Sequence, residues 1–268
     1  MGKIVLMARS ARRFGATGML LALAGCAGDE DDKLPVTPTH TGGAPHWTYE
    51  GLEGPEYWGE LAPLFAACGS GLQQSPIDIP ATIEAAPLGA LTFDYAAAPA
   101  TIVDNGHTVQ VNLTEGANEL RIGDDPYSLL QFHFHAHSEH AIDGEYKPLE
   151  LHLVHRATGG GLAVVGVLLD VGAASTGLAP VFDLMTSATA EPTELSVELD
   201  PSDLLPTSRD GWTYSGSLTT PPCTEGVKWH VLSNTIELST AQLERFTARH
   251  ELSHRPVMAN ESTITSGN

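Results

Sequence analysis

Basic residues are scarce. Thirteen Lys and Arg face 33 Asp and Glu, for a formal net charge of −20. Lys3, Arg9, Arg12 and Arg13 lie in the first 25 residues, which leaves 9 basic against 33 acidic residues, or −24. That balance disfavours nucleic acid and anionic membrane surfaces as partners and describes a solvated acidic surface. No run of 18 apolar residues occurs, so no spanning helix is expected. There is no internal repeat and no second linker, so one domain is expected after the leader. Cysteine is limited to three residues, Cys26, Cys68 and Cys223. What is abundant is apolar material, 42% of 268 residues, enough for a full core.

The N-terminus has the parts of a secretory leader. A basic stretch precedes an apolar run from Met19 to Ala24, then small residues before a cut. Leu23-Ala24-Gly25-Cys26 resembles a bacterial lipoprotein signal, in which Cys26 receives the lipid. Residues 1–25 are therefore expected to be removed. Residues 26–45, rich in Gly, Asp, Glu, Pro and Thr, are expected to form a disordered tether. The only membrane contact would be the lipid, and the location periplasmic or at the cell surface. Export exposes Cys68 and Cys223 to an oxidising compartment, and an even remainder of two points to one disulfide.

Residues 46–262 carry the domain. Alternation marks strands at 91–95, 108–113, 119–122 and 227–232. Gln74–Ile79 looks like an edge strand, with Pro76 near its start. The apolar run from Gly160 to Leu169 reads as a buried central strand. Short helices are expected at 179–187 and, behind the Ser239-Thr-Ala-Gln242 capping box, at 240–249. Strands dominate, so the fold class is mainly β.

The chemistry concentrates between residues 131 and 155. Gln131-Phe-His-Phe-His135 alternates, and so does Glu150-Leu-His-Leu-Val-His155, with an Asp143-Gly144 turn between them. If the two strands pair antiparallel, His133, His135 and His152 converge. Three His with an open fourth position form the ligand set of a catalytic zinc site. His137 shares the alternation of His133 and His135, so spacing alone leaves it open as the third ligand.

These segments resemble the zinc core of the α-class carbonic anhydrases. So do Gln74-Ser-Pro-Ile-Asp-Ile79, Asn105-Gly-His107, Ser138-Glu-His140 and Gly216-Ser-Leu-Thr-Thr-Pro-Pro-Cys223, in the family's order. The resemblance implies a single domain on a large twisted, mostly antiparallel central sheet with short peripheral helices. It implies Zn2+ on His133, His135 and His152, with Gln131 and Glu150 accepting from the outer nitrogens of His133 and His152. It implies reversible hydration of CO2 to bicarbonate and a proton by zinc-bound hydroxide, with Thr219 and Glu139 orienting that hydroxide. His107 matches the proton shuttle, with Asn105 and Gln110 along its water path. Tyr49 matches a residue at the cavity mouth that helps order that water. Val154, Val164, Leu218, Val227 and Trp229 match the CO2 pocket, and Thr220 the seat of bicarbonate. The Cys68–Cys223 pairing agrees with exported members. His140 and Tyr214 match buried partners of Glu150.

There are departures. Ser253 stands where Asn is usual, and only its carbonyl is needed, to support His135. The Gln usual soon after Pro256 is absent, and Gly226 replaces a larger residue. His137 matches no ligand of the family and is expected at the periphery. Two other readings remain at this point: a non-catalytic carbonic-anhydrase-like surface binding protein, and a zinc esterase. A homodimer is left open.

Overall fold

The computed structural model describes residues 45–83 and 91–267. The leader, the lipidation site Cys26 and all of the tether but Pro45 lie outside the described residues. The alternating segments form the strands of one large sheet. These include β1 (Leu91–Asp94), β2 (Ala100–Asp104), β3 (Val109–Leu113), β4 (Glu119–Ile122), β5 (Asp125–His135) and β6 (Leu149–Ala157). They continue with β7 (Leu162–Val171), β8 (Gly211–Ser217) and β9 (Glu225–Leu232). The central order is β2-β3-β5-β6-β7-β9-β8, and β4 joins β1 to β5. The β7–β9 pairing is parallel, while β2–β3, β3–β5, β5–β6, β6–β7 and β8–β9 are antiparallel. The sheet is therefore mixed and mainly antiparallel, with the Gly160–Leu169 run at its centre as expected.

Period two gives the sheet a mainly apolar face. Phe132, Phe134, Leu149, Leu151 and Leu153 point into a core shared with Val181, Phe182, Met185 and Phe246. The last four sit on two short helices, α1 (Ala179–Met185) and α2 (Thr240–Thr247). Phe134 lies with its ring centroid 5.7 Å from both Phe182 and Phe246. It is fully buried, so truncation to Ala should cost about 3–5 kcal/mol. The capping box at α2 is closed: Ser239 Oγ accepts from Gln242 N, and Gln242 Oε1 accepts from Ser239 N.

Four expectations need correction. Of Gln74–Ile79, only Asp78–Ile79 is strand, and it pairs with Ala141–Ile142 in a separate small sheet. Asp143-Gly144 closes the hairpin Ala141–Ile142/Glu145–Tyr146 of that small sheet and does not join β5 to β6 directly. β5 stops at His135, so His137 leaves the face of His133 and His135. The folded part also runs past residue 262, because Thr265–Gly267 pairs with Gly211–Thr213 of β8.

Candidate metal centre

β5 and β6 meet with His133 opposite His152 and His135 opposite Glu150. Since Phe132, Phe134, Leu151 and Leu153 fill the core, the residues between them turn to the other face. His133, His135 and His152 each offer a ring nitrogen within 4.8 Å of the others. The opposite nitrogens are already committed. Gln131 Oε1 accepts from His133 Nδ1 at 2.8 Å, the Ser253 carbonyl from His135 Nδ1, and Glu150 Oε1 from His152 Nε2 at 2.9 Å. His133 Nε2, His135 Nε2 and His152 Nδ1 are left facing one another. His135 Nε2 is buried without a hydrogen-bond partner, a costly state unless it has a ligand.

Burial keeps these rings neutral. It pushes His133 well below its ordinary value, with repulsion from His135 and His152 adding to the effect. It lowers His135 to about 4 against the support of the Ser253 carbonyl, and it lowers His152 against the attraction of Glu150. Neutral imidazole is the metal-binding form. The residues present therefore fit a nitrogen-ligated cation.

Glu150 is the hub beneath the site. Burial alone would raise its pKa, but His140 and His152 overcome that and hold it well below the carboxylate range. It accepts from Glu139 N, His140 N, His140 Nδ1 and His152 Nε2 at 2.7–2.9 Å. His140 Nε2 bonds the Tyr214 hydroxyl, which bonds Ser75 Oγ. Both therefore serve Glu150, as expected. Room for the carboxylate depends on Gly166 of β7, where a Cβ would stand 2.9 Å from Glu150 Oε1.

Glu139 is fully buried. Its Oε1 accepts from Arg255 N at 2.8 Å, while Oε2 lies 3.6 Å from His135 Nε2 without a hydrogen-bond partner. Burial raises it to about 7, although His152, Thr219 and the Arg255 amide pull it down. Thr219 is thus near enough to influence the acid, but its hydroxyl does not close a hydrogen bond with Oε2.

A cavity of about 240 Å³ opens over the three imidazoles. Val154, Val164, Leu218 and Trp229 form one wall, with Thr219 and Thr220 beside them. Asn105, His107, Thr108 and Gln110 form a polar wall, and Tyr49 stands at the cavity too. Val227, on β9, does not itself line the cavity but is buried in one cluster with the wall residues Val154, Val164 and Trp229.

His107 is held on a turn that Gly106 closes at φ +88. Asn105 Oδ1 accepts from His107 N and Thr108 N, both at 2.9 Å. Thr108 Oγ1 donates to the Phe134 carbonyl at 2.6 Å, tying the turn to β5. His107 stacks on Trp47 with ring centroids 3.6 Å apart and planes 8° apart. His137 is half-buried outside the ligand set. It is 3.7 Å from the His254 ring and 4.2 Å from that of Tyr146, and its Nδ1 donates to the Ser138 carbonyl.

Two contributors have no local signal in the chain. One is the stack of Trp47 on His107, which joins segments far apart in sequence. The other is Arg255, wholly buried, which donates to Gln74 Oε1, the Ser75 carbonyl and the Cys68 carbonyl while its amide holds Glu139. Cys68 and Cys223 are bonded to each other. The bond closes onto the loop bearing Thr219, since Cys223 N donates to the Thr220 carbonyl.

A mixed sheet thus brings three imidazoles able to hold a metal ion to the floor of a small cavity with one apolar and one polar wall. Residues 53–262 match the family model described as eukaryotic-type carbonic anhydrase. The carbonic anhydrase of Klebsiella pneumoniae is 42% identical over 226 residues, covering 84% of this chain and 90% of that protein. That of Neisseria gonorrhoeae is 40% identical over 213 residues, covering 79% and 84%. Among solved structures, the α-carbonic anhydrase of Thermovibrio ammonificans in complex with sulfanilamide superposes with a TM-score of 0.78. It is 38% identical and covers 83% of this chain and 100% of that one. The chain belongs to the α-class, or eukaryotic-type, carbonic anhydrases.

Proposed function

We propose that the chain performs its family's reaction, the reversible hydration of CO2 to bicarbonate and a proton, at one zinc ion held by His133, His135 and His152. The observation that carries this reading is the convergence of three neutral imidazoles whose outer nitrogens are all bonded. An all-nitrogen set of three ligands suits a catalytic zinc with an open position. Zinc, when bound, lowers the pKa of a water to about 7, a value established for carbonic anhydrase itself and not obtained from this molecule.

The side chains supply the rest. Gln131, Glu150 and the Ser253 carbonyl set each ring's tautomer and angle. Glu139, raised to about 7 by burial, would be favoured in its ionised form if a cation were held at the imidazoles. Ionised Glu139 would accept from the Thr219 hydroxyl, which would leave only Thr219 lone pairs facing the metal's open position. Val154, Val164, Leu218 and Trp229 seat CO2, and Thr220 receives bicarbonate. His107 takes the released proton, with Asn105 and Gln110 lining its route.

The disulfide supports work outside the cytoplasm. The leader motif supports a mature chain that starts at lipidated Cys26, and mass spectrometry finding another, unmodified N-terminus would refute it. For the metal, Ala at His133, His135 or His152 should remove zinc and hydration together, while His137→Ala keeps both. Zinc retained in His152→Ala but lost in His137→Ala overturns the ligand assignment.

A further inference from the structure

A second cavity of about 400 Å³ lies against the first. Trp47, Tyr49 and His107 form the partition, since they line both. His46, Glu50, His250 and Glu251 bring titratable groups to the far side. His107 therefore faces the reaction cavity on one side and a chamber holding two further imidazoles on the other.

Of those two, His250 is the one the fold has built in. It follows α2, its ring centroid 5.6 Å from that of Phe246, and its side chain is 9% exposed. Its Nε2 stands 3.2 Å from Asp104 Oδ1. The spacing is that of an ion pair, but the angle is not that of a closed hydrogen bond, and Nε2 has no other partner among the described residues. The same Asp104 oxygen accepts from Gly106 N at 2.9 Å. One carboxylate oxygen thus holds the turn that carries His107 and faces the ring of His250. Arg249, its other neighbour, is spent. Its Nε and Nη2 donate to Asp104 Oδ2, and its Nη1 and Nη2 to the carbonyls of Thr186 and Ala188.

We propose that His250, backed by Asp104, is a second proton station, which takes the proton from His107 across the outer cavity and releases it to base in bulk water. The step rests on the shuttle assignment of His107. The His107 imidazolium loses its proton and returns to neutral imidazole. His250, whose Nε2 lies 3.2 Å from Asp104 Oδ1, gains that proton and becomes the imidazolium, which the carboxylate stabilises. A solution base then removes that proton.

The electrostatics of the chamber suit the transfer. Burial lowers His107, and repulsion from His46 and His250 adds to this against the attraction of Asp104. Burial also lowers His250, with Asp104 opposing and Arg249 assisting. Both rings therefore release protons readily near neutral pH, and their mutual repulsion favours one proton on the pair at a time. The remaining charges facing the chamber are Glu50 and Glu251.

The test is stopped-flow CO2 hydration by the zinc-loaded enzyme in weak and strong buffer. It uses wild type, His250→Gln, His107→Ala and the double variant. His250→Gln should lower kcat in weak buffer by roughly three- to tenfold, less than the hundredfold or more of an essential acid–base group. It should leave kcat/KM unchanged, and strong buffer should restore kcat. The double variant should be no slower than His107→Ala, because the stations act in series. Unchanged kcat in weak buffer for His250→Gln, or kcat and kcat/KM falling together, overturns the second station while leaving His107 as shuttle. An unaffected His107→Ala enzyme overturns both assignments.

Discussion

Two buried imidazoles outside the metal centre should make the domain acid-sensitive. His155 is fully enclosed: its Nδ1 faces the Ala163 carbonyl at 3.3 Å, and its Nε2 meets the Tyr95 hydroxyl at 2.6 Å. A carbonyl can only accept, so Nδ1 carries the proton and Tyr95 donates to Nε2. The neutral ring is satisfied and has no place for a second proton. Burial drops its pKa to about 3, against support from the Ala163 and Leu153 carbonyls. His230 bonds Thr213 Oγ1 through Nδ1, has an unpartnered Nε2, and is lowered to about 4 by burial and then by Lys228. In the unfolded chain both titrate near 6.5. Between 6.5 and the folded values the unfolded state binds more protons, so stability is complete above 6.5 and is lost as pH falls towards 4. At pH 5 each ring should have cost about 2 kcal/mol relative to pH 8. Urea unfolding of the zinc-loaded protein at both pH values measures this in wild type, His155→Gln and His230→Gln. Each variant starts less stable at pH 8, but should lose about 2 kcal/mol less than wild type on going to pH 5. Variants that lose as much as wild type would refute the reasoning.

Removing the disulfide with Cys68→Ser/Cys223→Ser frees a loop with a sequence separation of 155 residues. The chain-entropy model assigns about 5 kcal/mol to such a loop. Calorimetry should then show Tm falling by roughly 10–20 °C, and equal Tm values would contradict it. Gln131→Ala frees His133 Nδ1 and should weaken zinc binding by roughly tenfold or more, read by competition with a chromogenic chelator. Unchanged affinity would deny Gln131 its role. His107→Ala should lower kcat in weak buffer by roughly tenfold or more, with kcat/KM intact and partial rescue by imidazole. Loss of both parameters in proportion would make His107 structural.

Much of this was legible because it is local. Alternation at 131–135 and 150–155 was enough to bring His133 and His152 together, since one antiparallel register keeps both phenylalanines and both leucines in the core. What was not legible depends on where elements stop and what crosses them. His137 matched the alternation, but β5 ends two residues earlier and the chain turns away. The Arg255 clamp spans 181 residues to Gln74 and 180 to Ser75. The Asp104 bridge to His250 has no sequence pattern at all.

The central claim is that one zinc on three histidines performs the hydration. Zinc content and stopped-flow CO2 hydration measured on the same samples test it most directly, before chelation, after chelation and after stepwise zinc return. One zinc per chain should be bound, hydration should vanish with it, and one equivalent should restore it in wild type but not in His133→Ala. Hydration that persists in zinc-free protein, or that returns only after several equivalents, would contradict the account.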